Sequence, residues 1–194
     1  MSLARALLFA IFATAAHAEE RPTMRQLPAS AALPRPPSKR DLVDARAALE
    51  TRFKAALSHT TTAAGARTAA DTLLAAAHEE PEAALKWLML DEARRLGAAS
   101  GSAEIVSRAV ALTSAVFDVD ELTLELESLS EIPLRPLDSG RASRLAEAAE
   151  RIATRADTDG RADLAADARQ LAFKAWQRAG NTAAARRVQM EDRL

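Results

Sequence analysis

Residues 81–131 read PEAALKWLMLDEARRLGAASGSAEIVSRAVALTSAVFDVDELTLELESLSE, three helical patterns in succession, each with its own punctuation. In the first, Leu85, Leu88, Met89, Glu92 and Leu96 recur at three- and four-residue spacing, so most of one face is apolar. Pro81 suits a first helical turn, where no amide donor is needed, and Glu82 follows where negative charge is favoured. Glu82–Lys86 and Asp91–Arg95 are i,i+4 pairs of favourable polarity. Gly97 or Gly101 ends this helix, and Ser102 is placed to cap the next, whose Val106, Ala109, Val110, Thr113, Val116 and Phe117 line one side. Asp118 followed by Glu121 reads as an acidic capping box, opening a third helix with Leu122, Leu126 and Leu129 on one face. Helices joined by so few residues lie antiparallel. The stretch therefore predicts a helical hairpin with a third helix packed on it.

Toward the N-terminus, a helix is expected over 41–59, with Leu42, Ala45, Leu49, Phe53 and Ala56 inward and Ser38 as its cap. His59-Thr60-Thr61-Thr62 breaks the pattern, because hydroxyl and β-branched residues favour turns. A second helix follows over 63–80, with Ala66, Ala70, Leu73, Leu74 and Ala77 inward and Gly65 weakening its first turn. Residues 19–40 hold Pro22, Pro28, Pro34, Pro36 and Pro37, whose fixed φ angles and missing donors make a semi-extended linker. Residues 1–18, MSLARALLFAIFATAAHA, have an early charge at Arg5, a short apolar run and a small-x-small ending at Ala16-His17-Ala18. That pattern predicts a signal peptide removed after Ala18, an exported chain, and no membrane span in the mature part. With no cysteine after the apolar run, a lipoprotein anchor is not expected.

Toward the C-terminus, residues 132–140, IPLRPLDSG, interrupt the array as a hinge or a rigid elbow. Gly140, Gly160 and Gly180 stand twenty residues apart and are expected to bracket two helices of equal length. Leu145, Ala149, Ile152 and Ala156 face inward from the first, and Leu164, Ala168, Leu171 and Ala175 from the second. Asp159 and Asn181 are the expected caps, and a last short helix runs from Asn181 through Val188. A repeated helix-plus-turn period marks stacked hairpins, in which each unit buries its face only against neighbours.

Alanine is about a quarter of the 194 residues and aromatics only 4%, so helices should approach closely and be held by many shallow contacts. The balance of 26 basic against 27 acidic side chains argues against recognition of nucleic acid by charge. The lack of cysteine removes disulfides, thiolate nucleophiles and cysteine-held metals.

The spelling Asp91-Glu92-Ala93-Arg94-Arg95-Leu96-Gly97, then Gly101-Ser102, then Phe117-Asp118-Val119-Asp120-Glu121-Leu122 resembles a family of exported TPR-like α-helical modules of planctomycete-type bacteria. The likeness covers about Leu42 to Arg187, with Ser102 where the family has a capping aspartate. The TPR consensus, with its period of about 34 residues, is absent. The resemblance implies a helical-repeat fold and an export route. It brings no catalytic residue with it.

No constellation for chemistry emerges. Asp157, Asp159 and Gly160 imitate part of a calcium loop over 155–166, but Arg155 and Ala166 stand where its first and twelfth ligands belong, so a capped turn is expected. The acidic run Asp118, Asp120, Glu121, Glu125, Glu127, Glu131 has no histidine beside it and reads as a cap plus a solvated face. His59 and His78 each fall near a helix end, and no Ser elbow or HExxH spacing accompanies them. Catalytic, cofactor-binding and metal-binding residues are therefore expected to be none. Trp87 and Trp176 are the candidates for partner binding, Trp87 because it lies off the Leu85, Leu88, Met89 face. The expected fold is all-α, about seven or eight helices in antiparallel hairpins stacked as a short TPR-like solenoid over 41–194. The expected function is a non-enzymatic interaction module for an unknown protein partner. The alternative is a small-ligand or cell-wall-associated binding domain using a cleft near Trp87.

Overall fold

A computed structural model describes residues 32–191. The expected signal peptide and residues 19–31 of the linker lie outside the described residues. Among the described residues all regular structure is helical. Nine helices follow one another: α1 Asp41–Arg52, α2 Lys54–Leu57, α3 Ala63–Glu79, α4 Ala83–Ala99, α5 Ala103–Val116, α6 Glu121–Ser130, α7 Ser139–Thr158, α8 Ala162–Ala179 and α9 Thr182–Glu191. The extra helix arises because the segment over 41–59 bends at Phe53 (φ −113°, ψ 17°). Phe53 N–H still donates to Leu49 O and Leu57 N–H to Phe53 O, so the chain turns to bring the Phe53 ring to the core without releasing its hydrogen bonds.

From α3 onward most connections have two to four residues, which forces successive helices antiparallel. Each of these packs on its sequence neighbour. Beyond that, α3 touches α5, α4 touches α6, α5 touches α7 and α6 touches α8, which is the order of stacked hairpins. α1 departs from the series and lies on α4. Ser38 is not the cap expected of it, because Arg40 is the N-cap and no side chain caps the helix; Ser38 N–H and Oγ instead both donate to Asp41 Oδ2 at 3.1 and 2.7 Å. The described end of the linker is tied down too, since Asp118 N–H donates to Pro34 O at 2.9 Å.

The buried side chains form two cores. One gathers α1, α3, α4 and part of α5; the other gathers α6, α7, α8, α9 and the rest of α5. Ile105 and Ala109 point into the first, Val106 and Val110 into the second. At 1% and 0% exposure, Ile105 and Val106 are adjacent in sequence yet buried in opposite directions. α5 thus corrects the expectation of a single apolar side: it is a shared wall. Gly97 of α4 lets it approach, because a Cβ there would stand 2.8 Å from Ile105 Cγ2.

Several expected helix ends move. Pro81 precedes the helix, whose N-cap is Glu82. The ion pairs of α4 run Asp91–Arg94 and Glu92–Arg95, spaced i,i+3. Ser102 caps α5 as expected, its side chain accepting from Ile105 N–H. Asp120, rather than Asp118, caps α6 by accepting from Thr123 N–H. Gly140 lies inside the first turn of α7, which Asp138 caps. Gly160 and Gly180 do end helices, and the third residue of that kind is Gly101. At Gly101 φ is +71°, and Gly101 N–H donates to Ala98 O while Ser102 N–H donates to Gly97 O, a left-handed helix stop that a side chain would strain. Asp159 closes α7 instead of capping α8, whereas Asn181 caps α9 by accepting from Ala184 N–H.

These placements separate two glycines of identical type. Gly97→Ala should lower unfolding free energy by about 1–3 kcal/mol, because overpacking against Ile105 exceeds the gain in helix propensity. Gly140→Ala, whose Cβ would meet nothing closer than 3.4 Å, should raise it by up to about 1 kcal/mol. Urea titrations of both variants check this. A stabilised Gly97→Ala contradicts the close approach of α4 and α5.

Candidate functional site

A hollow of about 990 Å³, open to solvent, lies between α6 and α8. It follows from how α7 and α8 pair. Ala165, Ala168, Ala172 and Ala175 put the backbone of α8 close to Ala149, Ala153 and Ala156 of α7, the most extensive helix pair among the described residues. Alanines therefore occupy the inward face of α8, and Leu164 and Leu171, expected there, fall at its margin half-buried. They face α6 across a gap. Leu126 of α6, Ile132 and Leu134 complete the apolar surface, and α6 and α8 touch only lightly.

Both ends of the groove are fixed by arginine. At one end Arg161 grips Asp120 with two hydrogen bonds, 2.9 and 2.7 Å, and donates to Thr123 Oγ1 at 2.6 Å. A planar guanidinium matches a carboxylate in this two-point manner, so the start of α6 is locked to the start of α8. At the other end Arg178 of α8 donates to the carbonyls of Arg135 and Leu137 at 2.8 and 2.6 Å. Leu137 is buried beside Gly101, and Arg141 donates to Ser100 O at 3.2 Å. The elbow at 132–140 is thus hydrogen-bonded to α8 and, through the start of α7, to the turn at Ser100.

The sequence-derived candidates are distributed differently. Trp87 is half-buried and meets the buried Phe117 ring edge to face, centroids 5.1 Å apart at 89°. The hollow bordering it measures about 20 Å³, room for one water. Trp176 is 8% exposed, and its indole N–H donates to Glu150, which also accepts two 2.7 Å bonds from Arg187. That network joins α7, α8 and α9. Within the acidic run, Asp120 pairs with Arg161, Glu121 with Arg155, Glu131 with Arg94, and Glu125 accepts from Ser107. Asp157 pairs with Arg169, and residues 155–166 form a helix end and turn. No group of three or more metal-ligating side chains occurs among the described residues. No helix among them is long and apolar enough to cross a membrane.

The residues that line the groove were legible only singly. Leu164, Asp167, Leu171 and Lys174 recur at three- and four-residue spacing, a second stripe beside the alanines that the sequence does carry. Leu134 and Arg135 sit in the elbow and gave no periodic signal.

The Asp120 carboxyl titrates near 2 instead of 3.8, chiefly because Arg161 donates to it and secondarily because Thr123 does. A lowered folded pKa means that this contribution to stability is complete above about pH 4 and is lost as pH falls toward about 2. Asp120→Asn should therefore show a smaller loss of stability across that window than the parent protein in urea titrations. High salt should narrow the difference, since the pair is half-exposed. Equal acid sensitivity of the two proteins contradicts the arginine clamp. Comparison of the chain with family models, curated proteins and solved structures returns no match.

Proposed function

We propose that this protein is a non-enzymatic interaction module, exported after removal of residues 1–18, that docks a segment of a protein partner in the groove between α6 and α8. The observation that carries the reading is the pair of half-buried leucines, Leu164 and Leu171, facing an apolar wall across a gap held open at both ends by arginine. A preformed apolar surface needs no ordering of its own when a partner binds, so more of the contact energy remains as affinity. The neighbour and next-but-one packing of the helices supports, within the same reading, a short TPR-like solenoid. The basic, apolar and small-residue order of residues 1–18 supports export.

Leu171→Glu places a charge in the groove while leaving the alanine stripe of α8 intact. Crosslinking of the mature chain in the exported fraction should capture a defined partner. Leu171→Glu should abolish that capture, and Val43→Glu, on the exposed face of α1, should retain it. Capture that survives Leu171→Glu, in protein whose circular dichroism and melting match the parent, contradicts docking at this groove.

A further inference from the structure

We infer, resting on the groove reading above, that the occupant is an amphipathic helix running antiparallel to α8, with an acidic first turn and a basic last turn. The groove is electrically polar along its length. Asp167 and Glu127 border the part nearer the start of α8, with Asp163 in the adjoining hollow. Arg135 and Lys174 border the part nearer its end. The two poles are opposite because Arg161 ties the start of α6 to the start of α8, while Arg178 holds the Arg135 carbonyl near the end of α8.

None of these five charged side chains makes an ion pair or a side-chain hydrogen bond with another described residue. The neighbouring Asp120, Glu121 and Glu131 are all paired with arginine. Asp167 and Lys174 are seven residues apart, about 10 Å along the axis. A partner helix that faces both would carry its complementary charges about two turns apart, with apolar side chains at i, i+3, i+4 and i+7 between them. Its own peptide dipole sets the direction. Acidic residues stabilise a helix start and basic residues a helix end. The start therefore lies by Lys174 and Arg135, and the end by Asp167 and Glu127, which also sets the two helix dipoles antiparallel.

The test uses the chain from residue 19 onward and three labelled synthetic helical peptides sharing one leucine stripe, read by fluorescence anisotropy. The first has glutamate in its first turn and lysine in its last, the second the reverse, the third glutamine at both. The first should bind about tenfold more tightly than the second, with the third between, and the margin should shrink as salt rises. Exchanging the poles with Glu127→Lys, Asp167→Lys, Arg135→Glu and Lys174→Glu together should invert the order. Equal affinities, a preference for the second peptide, or binding unaffected by Leu171→Glu overturns the inference. So does failure of all three to bind. In that case partner capture that is still lost on Leu171→Glu leaves the groove reading standing, while capture indifferent to Leu171→Glu removes both.

Discussion

The structure depends on α5 being buried on two sides at once. A helix at the margin of a core hides one stripe, but α5 sends Ile105 and Ala109 toward α3 and α4, and Val106 and Val110 toward α6 and α7. Losing either set of contacts by truncation would remove about 1–5 kcal/mol per side chain, a large part of the net stability of a domain this size. The approach is set by the lack of a side chain at Gly97 and by the left-handed turn at Gly101, which also gives Leu137 of the elbow its seat. One connection, 97–102, therefore positions both cores.

The groove is a consequence of the same economy of side chains. α7 and α8 close on each other largely through alanines, and Leu164 and Leu171 of α8 fall at the margin of that interface. α6, only ten residues long, cannot cover that margin, and the elbow that follows it is clamped by Arg178 instead of folding into the gap. An apolar trough remains, with charges at its two ends that pair with no other described residue.

Much of the helical order is legible in the sequence, because periodic leucine and alanine, Ser102 and Asn181 report local physics. Other features depend on what lies across the fold. Gly140 and Gly101 are indistinguishable as letters, and only the capping of α7 by Asp138 makes one an interior residue and the other a stop. Asp118 and Asp120 compete for the same cap, and Arg161, forty-one residues away, favours Asp120. Ile105 reads as off-face until a second core is seen behind it. The groove itself joins α6, the elbow and α8, so no contiguous pattern announces it. Trp176, conspicuous as a letter, is drawn inside by Glu150 and its partner Arg187.

The shared wall makes one demand that can be measured directly, since Trp87 belongs to one core and Trp176 to the other. In the single-tryptophan variants Trp176→Phe and Trp87→Phe, urea unfolding followed by fluorescence should coincide with unfolding followed by far-ultraviolet circular dichroism. Adding Ile105→Ala should lower the midpoint in both, although Ile105 touches only the first core. A midpoint at Trp176 that stays fixed while that at Trp87 falls would contradict the coupling of the two cores through α5.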